Sequence, residues 1–248
     1  MPFQLTFCQQ AGNDKKHNQD ALFNGVNVYQ WKLKNAENVI LYEDSVIFGI
    51  ADGVSNSPKP QLASRFLMEQ LSQCQSLSSA WLRDIQNKLS ERYAQSYFGT
   101  SSTFVGCELY ADGSGKIVNT GDSRAYKITI NGEWQQLSCD HTILAEMQDQ
   151  GLVDKQTKYA SMYQALSDCI SANFDEADFR IHIATFQLAK GESILLCSDG
   201  LHNYITPIQI EQIWQKYPNN IERLQTCRKI VKKHRTYDDF SVVMCEFL

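Results

Sequence analysis

The stretch FGIADG, residues 48–53, is an apolar run that ends in an aspartate followed by glycine. The same arrangement returns after two other strand-like runs, as IVNTGDSR at 117–124 and ILLCSDG at 194–200. It occurs with the acids in front of the strand in YDDFSVV at 237–243 and HNQDALF at 17–23. One aspartate beside a strand end is an ordinary turn residue. The repetition is therefore the informative feature of this sequence.

The repeated acids favour a site for divalent cations. Strands of one sheet have neighbouring ends, so carboxylates at several ends can converge, and they repel each other unless cations lie between them. Ligand sets made only of oxygen suit Mg²⁺, Mn²⁺ and Ca²⁺ rather than zinc or copper. Two such ions about 3.5–4 Å apart can bind a bridging water and activate it for attack on phosphorus. The acids concerned are Asp20, Asp52, Asp122, Asp199 and Asp238.

Motifs for other kinds of phosphate chemistry are missing from the sequence. It contains no Cys-x5-Arg loop, no GxSxG nucleophile elbow and no P-loop. A side-chain nucleophile is therefore not evident, which agrees with activation of water.

Composition describes an ordinary globular protein that folds as a single domain over residues 1–248. Of its 248 residues 43% are hydrophobic and 21% are charged, and no repeat or linker divides them. The net charge of -5 argues against a nucleic-acid partner. The basic run RKIVKKHR, 228–235, is typical of the solvated face and end of a helix.

The same composition indicates a cytoplasmic protein without a membrane anchor. No stretch approaches the roughly 18 apolar residues of a membrane span, and the N-terminus lacks the features of a secretory signal. The eight cysteines form no CxxC pair, so reduced and mostly buried thiols are expected rather than zinc ligands or disulfides.

The remaining pattern predicts antiparallel sheets with helices packed outside them. Two hairpins are expected, at ADGSG, 111–115, and around Asn131-Gly132. Predicted strands cover 46–51, 103–110, 116–119, 125–130, 180–186, 193–197 and 240–247, and predicted helices begin near Pro60, Trp81, Pro207 and Asn220.

The motifs resemble, in order, those of the metal-dependent protein phosphatases, the protein phosphatase 2C-like family of bacterial type. The resemblance covers Lys15 to Val243. The matching segments are NQDALF at 18–23, ADGVSNSPKPQLAS at 51–64, GTSSTFVG at 99–106, NTGDSRAYKI at 119–128, CDHTIL at 139–144, LLCSDGL at 195–201 and YDDFSVVM at 237–244.

The resemblance implies a role for each acid. Asp52 would bridge two metal ions, Gly53 would offer its carbonyl, and Asp199 and Asp238 would complete the first ion's shell. Asp20 would face the second ion through waters, and Asp122 with Asp199 would hold a looser third ion. Lys15 would meet the substrate phosphate, with Asp52 and Asp199 the other catalytic residues.

The chain departs from the family at several supporting positions. Lys15 replaces an arginine and so loses the bidentate fork. Ser57 replaces a histidine proposed as general acid or as an orienter of water. Three further replacements are Gln19 and Asn203 for acids, and Asp239 for asparagine.

The implied fold is α+β, a four-layer α-β-β-α sandwich of two antiparallel sheets with the metals at one end. The implied function is a serine/threonine phosphatase in which a water bridging two Mn²⁺ or Mg²⁺ ions is the nucleophile. Its partners would be phosphoproteins, opposite a Ser/Thr kinase, and the enzyme would be a monomeric cytoplasmic signalling protein. Two alternatives stay open: a degenerate phosphatase that binds phosphoproteins or partners without turnover, and a module with a structural Ca²⁺ site. The segment 142–172 is expected to be a variable flap that governs substrate choice.

Overall fold

The strands of the described residues lie in two six-stranded antiparallel sheets and one short pair. The computed structural model describes residues 3–31, 33, 35–154, 161–175 and 178–248. The strands are β1 Phe3–Gln10, β2 Asp20–Phe23, β3 Val28–Tyr29, β4 Glu37–Leu41, β5 Ser45–Asp52, β6 Ser101–Ser102, β7 Phe104–Tyr110, β8 Ser114–Thr120, β9 Arg124–Ile128, β10 Trp134–Gln136, β11 Ile170–Ser171, β12 His182–Gln187, β13 Ser193–Cys197 and β14 Phe240–Phe247. The helices are α1 Pro60–Leu71, α2 Ser79–Tyr97, α3 Ile143–Asp149, α4 Asp199–His202, α5 Pro207–Lys216 and α6 Asn220–Val231, and a 3₁₀ helix covers Ser161–Gln164.

The order of the strands brings the two ends of the chain together. The first sheet runs β10-β9-β13-β14-β1-β4, and the second runs β12-β8-β7-β5-β2-β3. In the first sheet β14 pairs with β1 along its whole length, from Phe3 opposite Phe247 to Gln10 opposite Phe240. In the second sheet β2 pairs with β5, which sets Asp20 directly opposite Asp52.

Three apolar clusters define four layers. The first lies between the sheets and takes alternate residues such as Phe7 of β1, Phe48 of β5 and Val243 of β14. The second joins α1 and α2 to the outer face of the second sheet, and the third joins α5 and α6 to the outer face of the first. The prediction of a four-layer α-β-β-α sandwich is confirmed.

Most predicted elements occur close to their predicted bounds. The predicted strands 193–197 and 240–247 have the same limits in the structure. Both predicted hairpins form, β7 with β8 and β9 with β10, and Gly132 in the second turn has a φ of 82°. The predicted helix start at Thr206-Pro207 carries a full capping box, since Thr206 and Gln209 bond reciprocally across the first turn.

The basic run 228–235 is only partly the solvated surface that was predicted. Lys229, Lys232 and Lys233 are exposed. Arg228 is buried, with 4% of its side chain accessible, and its Nε donates to Gln10 Oε1 at 2.9 Å. The prediction was wrong for Arg228 because α6 packs against β1 at this point, a contact between residues more than 200 positions apart.

None of the helices in the described part of the chain has the length and apolar character needed to cross a membrane.

Candidate metal centre

Six aspartates gather where strands of both sheets end on the same side of the sandwich; we call them the acidic cluster. Asp20 begins β2 and Asp52 ends β5 in the second sheet, while Asp199 follows β13 and Asp238 and Asp239 precede β14 in the first. Asp122 lies in the loop that carries the chain from β8 of the second sheet to β9 of the first. The cluster therefore joins the two sheets at one end.

Asp20 lies deepest in the cluster. Its side chain is fully buried, and Oδ2 accepts a hydrogen bond from Ser198 Oγ at 2.7 Å. Its other oxygen, Oδ1, is buried without a partner. Burial raises the pKa of Asp20 well above its ordinary value, and the charges of Asp239 and Asp199 raise it further. This carboxylate is therefore costly to keep charged unless a cation lies nearby.

Asp52 experiences the other acids directly. Burial is the largest cause of its raised pKa, followed by the charges of Asp20, Asp199, Asp122 and Asp238. Four separate carboxylates thus act on one, so the acids that the sequence pattern singled out do converge in the folded chain.

Asp199 and Asp122 form one side of the cluster. Burial raises the pKa of Asp199 to about 6, with Asp238 adding to the rise and Asp52 and Lys15 opposing it. Its Oδ2 accepts from Asn203 Nδ2 at 3.0 Å, whereas Oδ1 is buried without a partner. Burial, together with Asp199 and Asp140, raises the pKa of Asp122 to about 7.

These properties fit a divalent cation. Two buried carboxylate oxygens, on Asp20 and Asp199, lack a hydrogen-bond partner, and all the candidate donor atoms are oxygen. Among the described residues, however, no three acidic, histidine or cysteine side chains close into a complete ligand shell. Asp238 turns towards Lys15 and Asp199 bonds to Asn203, so these two carboxylates do not face a common point. The fit to a cation therefore rests on the unpartnered oxygens and on the repulsion between the carboxylates.

Lys15 lies against the cluster, and its predicted contact with a substrate phosphate stays a prediction. Its Nζ pairs with Asp238 Oδ1 and lies 3.5 Å from Asp239 Oδ2. Burial by itself lowers the pKa of Lys15, but the hydrogen bond and charge of Asp238 outweigh it and raise the pKa. The lysine is thus held as a cation beside the acids, where an anionic substrate group would need it.

Asp239 is a member of the site that the sequence analysis left without a role. Its side chain is 1% exposed, Oδ1 accepts from Gly12 N at 2.7 Å, and Oδ2 accepts from Gln19 N at 2.8 Å. It therefore fastens the loop that carries Lys15 to the start of β14. The acid pair at 238–239 was a visible signal, but only the first acid was given a role.

The fold requires a glycine at position 53 for a reason other than the predicted use of its carbonyl. A Cβ atom at this position would lie 2.7 Å from the carbonyl oxygen of Pro60, so a larger residue would push α1 away from the end of β5. The predicted use of its carbonyl by a cation stays a prediction.

The departures from the family pattern have defined contacts. Ser57 Oγ accepts from Ser101 N at 3.1 Å, so it fastens its loop to β6 rather than lying free as an acid or base. Two residues of the matching segments, Arg124 and His141, have defined contacts as well. Arg124 pairs with Asp140 through Nε at 3.0 Å. His141 Nδ1 accepts from Gly121 N at 3.0 Å and so holds the turn beside Asp122.

A cavity of about 370 Å³ opens beside Asp122 and Asp199. Part of its wall comes from the predicted flap, segment 142–172, through Thr142, Leu144 and Ala165. Residues 155–160 of this segment lie outside the described residues. The flap thus borders the acidic cluster, where it can contact whatever the cluster binds.

Known proteins resemble this chain in sequence and in fold. Serine/threonine phosphatase stp of Listeria welshimeri is 25% identical over 251 residues, which cover 97% of this chain and 94% of that protein. The serine/threonine phosphatase PstP/Ppp of Mycobacterium tuberculosis superimposes with a TM-score of 0.78 at 16% identity, over 99% of both chains. A PstP catalytic domain in complex with two manganese ions superimposes with a TM-score of 0.73 at 17% identity, again over 99% of both chains.

The family described as Protein phosphatase 2C matches residues 14–233. This match spans the acidic cluster except for Asp238 and Asp239, and we conclude that the chain belongs to the protein phosphatase 2C family.

Proposed function

We propose that this chain is a metal-dependent serine/threonine protein phosphatase, which hydrolyses phosphate esters on serine and threonine side chains of proteins. One observation carries the proposal: carboxylates from the strand ends of both sheets converge on one point, and two of their buried oxygens have no partner. Family membership supplies the reaction class.

Within this proposal the acids divide into inner and outer members. Asp52, Asp199 and Asp238 would hold two Mn²⁺ or Mg²⁺ ions with the carbonyl of Gly53. Asp20 would face the second ion through waters, and Asp122 with Asp199 would hold a third ion. Bound divalent cations supply an acidified water and positive charge for the phosphoryl oxygens.

The chain's own residues bind and orient the substrate. Lys15 offers an ammonium to the phosphate as a point charge, since a lysine has no planar fork of donors. Asn203 donates to Asp199 Oδ2 at 3.0 Å and so fixes the rotation of that carboxylate. The hydroxyl of Ser57 is too weak an acid to replace a histidine as proton donor, so protonation of the leaving oxygen falls to solvent.

The setting of the enzyme completes the proposal. Residues 1–248 act as a single catalytic domain and a monomer in the cytoplasm, where the chain takes part in signalling. Phosphorylated proteins are its substrates, a Ser/Thr kinase opposes it, and neither nucleic acid nor membrane takes part. The net charge of -5 supports the exclusion of a nucleic-acid partner.

The test is phosphate release from p-nitrophenyl phosphate and from a phosphothreonine peptide, with Mn²⁺, Mg²⁺ or EDTA. We expect release with either metal, none with EDTA, and a rate for Asp199→Asn that is lower by about 100-fold or more, because a charged group at the reacting centre is lost. Calorimetric titration with Mn²⁺ gives a second readout, in which Asp199→Asn binds more weakly.

The matched control is Asp112→Asn. Asp112 lies in the turn between β7 and β8, and its Oδ1 accepts from Ser114 N at 2.9 Å, a bond that asparagine can keep. It should match the wild type in both measurements. If the protein binds metal but releases no phosphate from either substrate, the proposal of an enzyme is wrong. The alternative, a regulator that binds phosphoproteins without turnover, would then take its place.

A further inference from the structure

Three side chains close a triangle on the exposed side of the acidic cluster. Lys15 Nζ donates to Gln19 Oε1 at 2.7 Å and to Ser55 Oγ at 3.0 Å, and Ser55 Oγ donates to Gln19 Oε1 at 2.8 Å. Lys15 and Gln19 precede β2, whereas Ser55 follows β5. The contact therefore links the two loops that flank the paired acids Asp20 and Asp52.

Counting protons fixes the direction of every bond in the triangle. An ammonium has three N–H groups and only donates, so the amide atom of Gln19 that faces it must be oxygen. The Ser55 hydroxyl donates its hydrogen bond to that same oxygen, and its oxygen accepts the hydrogen bond from Lys15. Two N–H groups are thus held by neutral oxygens, and the third points at Asp238 in the acidic cluster.

The two acceptors are themselves held in place by backbone contacts. Gln19 N donates to Asp239 Oδ2 at 2.8 Å, and Gln19 O accepts from Gly53 N at 3.1 Å. The loop that carries Ser55 is fixed on both sides, by Val54 N to Ser101 O at 3.0 Å and by Ser57 N to Val54 O at 2.8 Å. The triangle is therefore a preformed feature of the loops.

Charge explains why neutral acceptors suit this place. A lysine is a flexible point charge without the planar donor fork of an arginine, so its direction must come from its neighbours. Asp238 already pairs with one N–H group, and further carboxylates would cancel more of the positive charge that an anionic phosphate needs. Gln19 and Ser55 give direction without adding negative charge.

We propose that Gln19 and Ser55 are positioning residues that hold the Lys15 ammonium with its third N–H group turned to the acidic cluster, where a substrate phosphate would bind. The role of Lys15 in this scheme rests on the proposed function. Gln19 and Ser55 act through Lys15 and do not take part in the chemical step, so they govern affinity for phosphate rather than turnover.

The experiment measures inorganic phosphate binding to the Mn²⁺-loaded protein by calorimetry, beside kcat and KM for p-nitrophenyl phosphate. Ser55→Ala and Gln19→Met should raise both the phosphate Kd and the KM by about three- to tenfold, because each removes a hydrogen bond to a charged group. The kcat should change less than twofold. Ser55→Thr keeps the hydroxyl and should restore the wild-type Kd, whereas Gln19→Glu should weaken binding through its added charge.

Ser76→Ala is the matched control, since Ser76 Oγ accepts from Lys116 Nζ at 3.1 Å in a serine–lysine contact outside the acidic cluster. It should leave the phosphate Kd unchanged. In a Lys15→Ala background, Ser55→Ala should have no further effect on that Kd. An unchanged Kd in Ser55→Ala, an equal loss in both backgrounds, or no phosphate binding by the wild type would overturn the proposal. Phosphate binding without hydrolysis would refute only the proposed function.

Discussion

At the scale of single residues, the acidic cluster depends on a close approach between Gly200 and the chain at Asp239. A Cβ atom at position 200 would lie 1.8 Å from the carbonyl oxygen of Asp239. Asp199 precedes this contact and Asp238 borders it on the other chain segment, so the approach brings the two acids together. The glycine of the Asp199-Gly200 motif is therefore required by packing.

Gly200→Ala should lower the free energy of unfolding by about 3 kcal/mol or more, because the start of β14 has to move away. Gly151→Ala is the comparison: its φ is 70° and no atom lies within 4 Å of the added Cβ, so the loss should be about 1 kcal/mol. Urea denaturation followed by fluorescence measures both. Equal losses would show that β14 yields easily at this point.

At the scale of elements, Glu108 links a strand to a helix and to the next strand. It lies on β7 with 2% exposure, opposite Lys116 of β8. Its Oε2 accepts from Leu77 N at 2.8 Å, just before α2, and lies 3.1 Å from Lys116 Nζ. Burial raises the pKa of Glu108, but the bonds from Tyr110, Leu77 and Lys116 outweigh it and lower the pKa.

A lowered pKa in the folded state means that Glu108 stabilises the protein above its unfolded pKa and loses this effect as the pH falls through the folded value. Glu108→Gln should therefore be less stable than wild type at pH 6.5, on the order of 1 kcal/mol. The difference should shrink steadily towards pH 3.5. Urea denaturation across this range, at constant ionic strength, tests the prediction; a difference that does not vary with pH would contradict it.

The elements also show how far the sequence could predict the structure. Runs such as Ser193–Cys197 were found at their true bounds because they are apolar on both faces and end in turn residues. Strand β1 was missed because Gln9 and Gln10 look like surface residues, although both are buried in the sheet. The buried Gln9 side chain donates through Nε2 to Ser241 Oγ at 3.0 Å. Its partner is 232 positions away in the chain, so the pattern of neighbouring residues cannot indicate it.

The gathering of the strand-end acids could be predicted from the sequence to a similar extent. The strand-end acids could be found because each has a local signal, an apolar run beside an aspartate. The roles of Gln19 and Ser55 around Lys15 could not, because they depend on how two loops meet in space. Local patterns therefore reveal the acids of this site, and only the fold reveals the groups that orient them.

At the scale of the whole molecule, the acidic cluster brings carboxylates from the ends of both sheets close together. Its repulsion opposes the packing of the first sheet on the second, and cations between the acids would relieve that repulsion. A saturating concentration of Mn²⁺, about 100 times its Kd, should add about 2.7 kcal/mol and raise Tm by roughly 5–10 °C. Scanning calorimetry with Mn²⁺ and with EDTA measures this shift, and Asp52→Asn should show a much smaller one. An equal Tm in both conditions would mean that cations do not join the sheets.

The pairing of β14 with β1 has a consequence for the order in which the cell can complete this enzyme. Strand β14 follows the other described strands in chain order, yet it lies between β13 and β1 in the middle of its sheet. A chain emerging from the ribosome must leave that place open, so the first sheet remains two separate parts until β14 has been made. Because Asp238 and Asp239 directly precede β14, the acidic cluster gains its last two carboxylates only when this strand takes its place. A partly made chain that lacks this segment consequently has four of the six acids.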